Sequence, residues 1–193
     1  MSSTAVDRWL TLPNLLTLAR LPLAIVLFVC IAYQWWLAGL IVFALASLTD
    51  WADGFFARWL NLQSALGRSL DPLVDKVLVG GAFIFLIPVK GSELAPWMVT
   101  VVVGRELIIP GLRGIMEAKG IKFGADMLGK LKMVLQCAVL IAVLGILWLQ
   151  RQAWSEPWRP GLWWLQICLI YAMLIATVLS GGQYILKAVR QYH

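Results

Sequence analysis

Histidine is all but missing from this chain: the one present, His193, is the last residue. That excludes nearly every mechanism built on a histidine nucleophile, a histidine base or a zinc–histidine centre. Cysteine is scarce too. Cys30, Cys137 and Cys168 each lie in an apolar run, are odd in number and lack metal-site spacing, so they read as small interior residues. Charge is thin: 13% of residues are charged against 61% hydrophobic, and the mean hydropathy is +0.83. An ordinary soluble globular domain is excluded by that balance. There is no low-complexity tract, long linker or internal repeat. No small-residue cleavage site follows a short apolar core near the start, so the first helix is expected to stay in the mature protein.

What fills the chain instead is a series of long uncharged runs, at 21–48, 77–89, 94–104, 134–150 and 161–186. Alone or with polar extensions, most are long enough to cross about 30 Å of hydrocarbon. Breaks at 33–34, 61–67, 90–93, 119–126 and 151–160 divide them into six expected helices, at 12–33, 35–59, 69–88, 94–117, 127–150 and 161–187. The expected class is an all-α polytopic membrane protein, residues 1–193 forming a single membrane-embedded catalytic domain. Residues 1–12, with Trp9 and Leu10 beside Arg8, suit a short interfacial segment.

Six spans put both termini on one side, and charge orients them. Of the sixteen Lys and Arg residues only Lys90, Arg151 and Arg159 fall on the opposite side. The positive-inside rule therefore expects cytoplasmic termini. Trp35, Trp36, Trp97, Trp154, Trp158, Trp163 and Trp164 mark the other interface, as an aromatic belt does. The net charge of +6 is then met by an anionic lipid bilayer, and no nucleic acid partner is expected.

Against this background four aspartates stand out: Asp50, Asp53, Asp71 and Asp75. Each carboxylate at the centre of a membrane helix costs about 2.5–3.5 kcal/mol. Clustered carboxylates are ordinarily compensated by metal. Asp50 and Asp53 share a face of the second helix, and Gly54 and Ala57 continue that face with small side chains that let a ligand approach the backbone. Arg58, two turns on from Asp50, is placed to meet a phosphate or a carboxylate. The short connection makes the third helix an antiparallel neighbour. There Asp71 and Asp75 lie one turn apart, with Pro72 expected in the first turn, where its missing N–H costs nothing. Four negative charges match two divalent cations in number. All-oxygen ligation favours Mg²⁺, Mn²⁺ or Ca²⁺, and two such ions form a clamp for a pyrophosphate. Spacing alone leaves cation transport and catalysis equally open. Gly54 and Arg58 favour catalysis, since a cation pathway gains nothing from them.

The pattern Asp50-x2-Asp53-Gly54-x2-Ala57-Arg58-x8-Gly67-x3-Asp71-x3-Asp75 fixes eight residues across 26. At every one it resembles the CDP-alcohol phosphotransferase signature. The resemblance implies a six-helix membrane fold, a homodimer, a bimetal site with Mg²⁺ or Mn²⁺, and a reaction in which an alcohol displaces CMP from a CDP-linked lipid. It implies Asp50, Asp53 and Asp71 as metal ligands, and Asp75 as both metal ligand and general base. Gly54, Ala57, Arg58 and Gly67 are implied as contacts of the CDP-lipid, as are Asn14 and Thr17 of the segment 12–20.

Further segments, at 12–20, 104–106, 111–113, 129–132 and 180–184, resemble bacterial family members that take CDP-diacylglycerol and glycerol 3-phosphate. A bacterial inner membrane with a cytoplasmic site is thereby implied. A dianionic acceptor needs cations beyond those that answer the aspartates. Arg105 and Arg113, eight apart on one helix, are the candidates for its phosphate, with Lys130 or Lys132 joining from the fifth helix. Arg105 lies among apolar residues and needs a partner. The adjacent Glu106 is expected to point elsewhere on a regular helix, leaving phosphate or an aspartate. The bland alternative is that these cations snorkel to headgroups, as expected of Lys119 and Lys122. Inositol phosphate or serine as acceptor, and a divalent-cation transporter, remain the competing readings.

Overall fold

Apolar residues recurring at helical spacing, with polar residues gathered at the breaks, fold into six long helices. They are α1 (Leu12–Ala32), α2 (Trp36–Leu60), α3 (Ala65–Leu86), α4 (Pro96–Ala118), α5 (Met127–Leu149) and α6 (Arg159–Tyr192). The computed structural model describes the backbone of residues 12–60, 65–119 and 127–192, and the side chains of 19–49, 73–119, 127–152 and 155–190. The interfacial segment expected before residue 12 lies outside the described residues.

Two spans, Met127–Leu149 and Ser155–Arg190, are long and apolar enough over their described residues to cross a membrane. Shorter apolar stretches, Ala19–Ala32 and Trp36–Thr49, begin the molecule. The 34 residues of α6 would extend about 51 Å at 1.5 Å per residue, well beyond a bilayer's hydrocarbon.

The breaks fall where backbone conformation changes. Gln34, between α1 and α2, takes φ 59°, and Glu93, before α4, takes φ 55°. Gly91 takes φ 85°, and a Cβ there would meet Gln150 Oε1 at 3.2 Å and Leu147 Cδ2 at 3.3 Å. A side chain at Gly91 would suffer both strain and crowding. The turn is held from α6: Gln166, buried at the membrane-spanning helix's inner face, donates from Nε2 to the carbonyls of Gly91 (2.9 Å) and Ser92 (2.7 Å).

Two boundaries depart from expectation: α6 runs on to Tyr192, five residues past the expected 187, and α3 begins early. α3 starts at Ala65, four residues before the expected 69, so Pro72 falls in its third turn rather than its first. Ala65, Leu66 and Leu70 are good helix formers, and the polar stretch 61–67 that suggested a connection is partly helix.

The contacts divide the chain into two compact units, 1–85 and 86–193. In the first, α1 packs on α2. The buried face of α1 carries Arg20, Ala24, Leu27 and Ile31 at offsets of four, seven and eleven, the repeat of one helical stripe. Phe28 stacks parallel on Phe85 of α3, ring centroids 4.9 Å apart at 6°. Gly81 makes room for that stack, since a Cβ there would lie 2.2 Å from Phe28 Cζ.

In the second unit α6 packs on both α4 and α5. The buried stripe of α5 runs Lys132, Gln136, Val139, Leu140, Val143, Leu147. It is apolar for most of its length and turns polar only at its N-terminal end. The stripe of α6 runs Gln166, Ile170, Met173, Thr177, Ser180, Tyr184. Polar groups at this end of both stripes are what position the cationic cluster described next.

Candidate active site

The aspartates fall on helical backbone: Asp50 and Asp53 on α2, Asp71 and Asp75 on α3. Three and four residues apart, the members of each pair share a helix face. The side chains of Asn14, Thr17, Asp50, Asp53, Gly54, Ala57, Arg58, Gly67 and Asp71 lie outside the described residues. Among the described residues no cluster of three metal-ligating side chains occurs.

Asp75 is described, and it has a partner that sequence reasoning missed. Arg20 of α1 donates from Nη1 to Asp75 Oδ1 in an ion pair. Arg20 is 1% exposed and the Asp75 side chain 29% exposed. The signal was present in the sequence: Arg20 interrupts an apolar helix on the face shared by Ala24 and Leu27. Counted only as a positive charge for topology, it gave no hint of a partner 55 residues away.

A second constellation occupies α4, α5 and α6. Arg105 donates from Nη2 to Ser180 Oγ at 2.7 Å and from Nη1 to Glu106 Oε1 at 3.3 Å. Its stem passes α6 at Gly181, where a Cβ would lie 3.4 Å from Arg105 Cγ. Arg113 donates from Nη2 to Tyr184 Oη at 2.6 Å. Both guanidinium groups also face the Tyr184 ring, at 6.0 Å for Arg105 and 5.2 Å for Arg113 from its centroid, within the range of cation–π attraction. Arg105 and Arg113 thus converge on one turn of α6 although they stand two turns apart on α4.

Glu106 anchors the base of this cluster. Its Oε1 accepts from Lys132 Nζ in an ion pair and from Gln136 Nε2 at 3.3 Å, besides Arg105. The expectation that Glu106 would point away from Arg105 is therefore corrected. Successive helical residues do diverge by about 100°, but two long side chains curl back far enough for a 3.3 Å contact. Of the two lysines considered, Lys132 is buried and joins the cluster, whereas Lys130 is exposed.

Among the described residues, Arg105 and Lys132 share the carboxylate of Glu106, and Arg113 meets the neutral Tyr184 hydroxyl. Arg105 and Arg113 each keep a buried Nε–H with no hydrogen-bond partner among the described residues. Such a cluster can bind an anion, because unpaired buried donors are costly and an arriving oxyanion would satisfy them.

With both constellations in view, the comparisons with known proteins can be set beside them. The family model for CDP-alcohol phosphatidyltransferase matches residues 10–179, and the chain belongs to that family. It is 38% identical over 194 residues to the CDP-diacylglycerol–glycerol-3-phosphate 3-phosphatidyltransferase of Bacillus subtilis (strain 168), covering 91% of this chain and 94% of that protein. It is 37% identical over 138 residues to the protein of the same name from Rickettsia bellii (strain RML369-C), covering 69% and 75% respectively. It is 32% identical over 189 residues to the namesake from Salmonella choleraesuis (strain SC-B67), covering 92% and 94%. The chain is a membrane-embedded transferase.

Proposed function

We propose that this enzyme transfers the phosphatidyl group of CDP-diacylglycerol to the hydroxyl of sn-glycerol 3-phosphate, giving phosphatidylglycerophosphate and CMP. The names of the similar proteins supply the substrates. The observation that carries the choice of a phosphorylated acceptor is the convergence of Arg105 and Arg113 on Tyr184, each with a buried Nε–H that has no hydrogen-bond partner among the described residues. A phosphate monoester carries about −1.5 to −2 at pH 7. A neutral or zwitterionic alcohol would leave those donors unmatched.

In this reading Arg105 and Arg113 hold the acceptor phosphate, with Lys130 a further cation on the exposed side of α5. Asn14, Thr17, Gly54, Ala57, Arg58 and Gly67 meet the CDP-lipid. Asp50, Asp53, Asp71 and Asp75 hold two divalent cations, Mg²⁺ or Mn²⁺, and the donor set fits them, because four carboxylates on two helices are hard oxygen ligands. Such ions would neutralise the pyrophosphate charge that grows as CMP departs. Asp75 takes the proton of the acceptor hydroxyl. The acceptor oxygen then forms its bond to the lipid-side phosphorus as the bond from that phosphorus to the CMP oxygen breaks, and CMP leaves with the electron pair. A half-exposed carboxylate is well suited to that proton transfer, since it can pass the proton on to water.

The whole chain is read as one catalytic domain working as a homodimer in a bacterial inner membrane, with termini and site cytoplasmic. The test is an acceptor panel. Purified protein in detergent, given CDP-diacylglycerol and Mg²⁺ or Mn²⁺, should release CMP with glycerol 3-phosphate far faster than with inositol phosphate or serine. Preference for either of the latter would overturn the assigned acceptor, and loss of release on chelation would tie turnover to the metals.

A further inference from the structure

Arg20 stands where an apolar helix has no use for a charge. It shares the buried stripe of α1 with Ala24, Leu27 and Ile31 and is 1% exposed. A guanidinium so placed must be paired and hydrogen-bonded to be tolerated. One of its contacts is with Asp75, the residue read above as base and metal ligand, through Oδ1. The exposures run in opposite senses along the pair: the donor is wholly inside and the carboxylate is 29% exposed. Arg20 therefore grips the carboxylate from its protected side.

From this geometry we propose that Arg20 is a positioning residue for the phosphatidyl transfer. It holds Oδ1 and so limits the rotamers from which the Asp75 carboxylate reaches the acceptor hydroxyl. The inference rests on the reading of Asp75 as the base. A carboxylate side chain free to turn about two bonds loses proton-transfer geometry easily, and small misplacements of reacting groups cost rate steeply. Reaching Oδ1 from the buried stripe of α1 is a task for the long guanidinium side chain. A lysine ammonium supplies the same charge as a compact point on a shorter reach. Charge balance alone would make arginine and lysine equivalent here; reach makes them different.

The decisive comparison uses Arg20→Lys and Arg20→Gln, together with Asp75→Asn and the double variant Arg20→Lys/Asp75→Asn. All are purified in detergent and assayed with CDP-diacylglycerol and glycerol 3-phosphate. Both Arg20 variants should lose about 10²-fold in kcat, with KM for each substrate within about threefold of the parent. Binding of CDP-diacylglycerol, measured without acceptor, should be unchanged. In the Asp75→Asn background the Arg20→Lys change should cost nothing more, since the base it positions is gone. A lowered Tm with unchanged kcat per folded molecule would reduce Arg20 to a structural counter-charge. So would a further loss of similar size in the double variant. Near-normal turnover of Asp75→Asn would instead sink the base assignment, and the positioning role with it. If Asp75→Asn is inactive and Arg20→Lys is fully active, only the role of Arg20 is lost.

Discussion

At the scale of single residues the protein keeps its charges in two groups with different logic. The aspartates were legible in the sequence because carboxylates in an apolar chain are expensive and their spacing of three and four residues shares faces. The partners of Arg105 were not legible. Ser180 and Tyr184 lie about 75 residues away in an apolar helix, and nothing in their local pattern names what they meet. The Tyr184 hydroxyl accepts from Arg113 while the ring faces both guanidinium groups, so this one side chain braces the proposed phosphate site. Arg113→Ala removes a charge-assisted donor worth about 1.5–3 kcal/mol. KM for glycerol 3-phosphate should accordingly rise about 10- to 100-fold, while KM for CDP-diacylglycerol stays near the parent value. Steady-state kinetics with each substrate varied in turn will show this. Equal rises for both would remove Arg113 from the acceptor site.

At the scale of elements, hydropathy runs placed all six helices, most boundaries falling within about two residues of those expected. It failed at the start of α3, because polar Arg68 and Ser69 resemble a connection while remaining compatible with helix. What sequence could not show was which small residues are small for packing. At Gly81 the missing side chain accommodates the Phe28–Phe85 stack. A Cβ at 2.2 Å from Phe28 Cζ cannot be accommodated without moving the ring. Gly81→Val should therefore destabilise the protein by about 1–3 kcal/mol through overpacking. The Tm in detergent reports this directly. Combining it with Phe28→Ala should recover part of the loss, because contacting residues are not additive. Simple addition of the two losses would mean that the ring and the glycine do not compete for one space.

At the scale of the whole molecule, the distribution of charge along the chain carries an orientation that no single helix contains. In the proposed orientation Lys90, Arg151 and Arg159 are the cations of the tryptophan-rich side, and the other thirteen fall on the side of the termini. The proposed cytoplasmic site depends on that asymmetry, since a water-soluble phosphorylated acceptor and CMP are handled on the cytoplasmic side. α6 states the same in length: Tyr184 lies 25 residues beyond Arg159, about 38 Å along the helix. A helix leaving the tryptophan-rich interface near Arg159 thus carries Tyr184 across the full hydrocarbon thickness of about 30 Å. The acceptor-binding cluster is then delivered to the opposite polar boundary. The prediction concerns two exposed lysines, Lys90 and Lys119, on opposite sides in this arrangement. In a background with Cys30, Cys137 and Cys168 replaced by serine, Lys90→Cys should react with a membrane-impermeant maleimide in cells whose outer barrier is opened and inner membrane intact. Lys119→Cys should react only after that membrane is breached. The reverse pattern would place the cationic cluster outside the cell's supply of phosphorylated acceptor, and the assigned reaction could not run there.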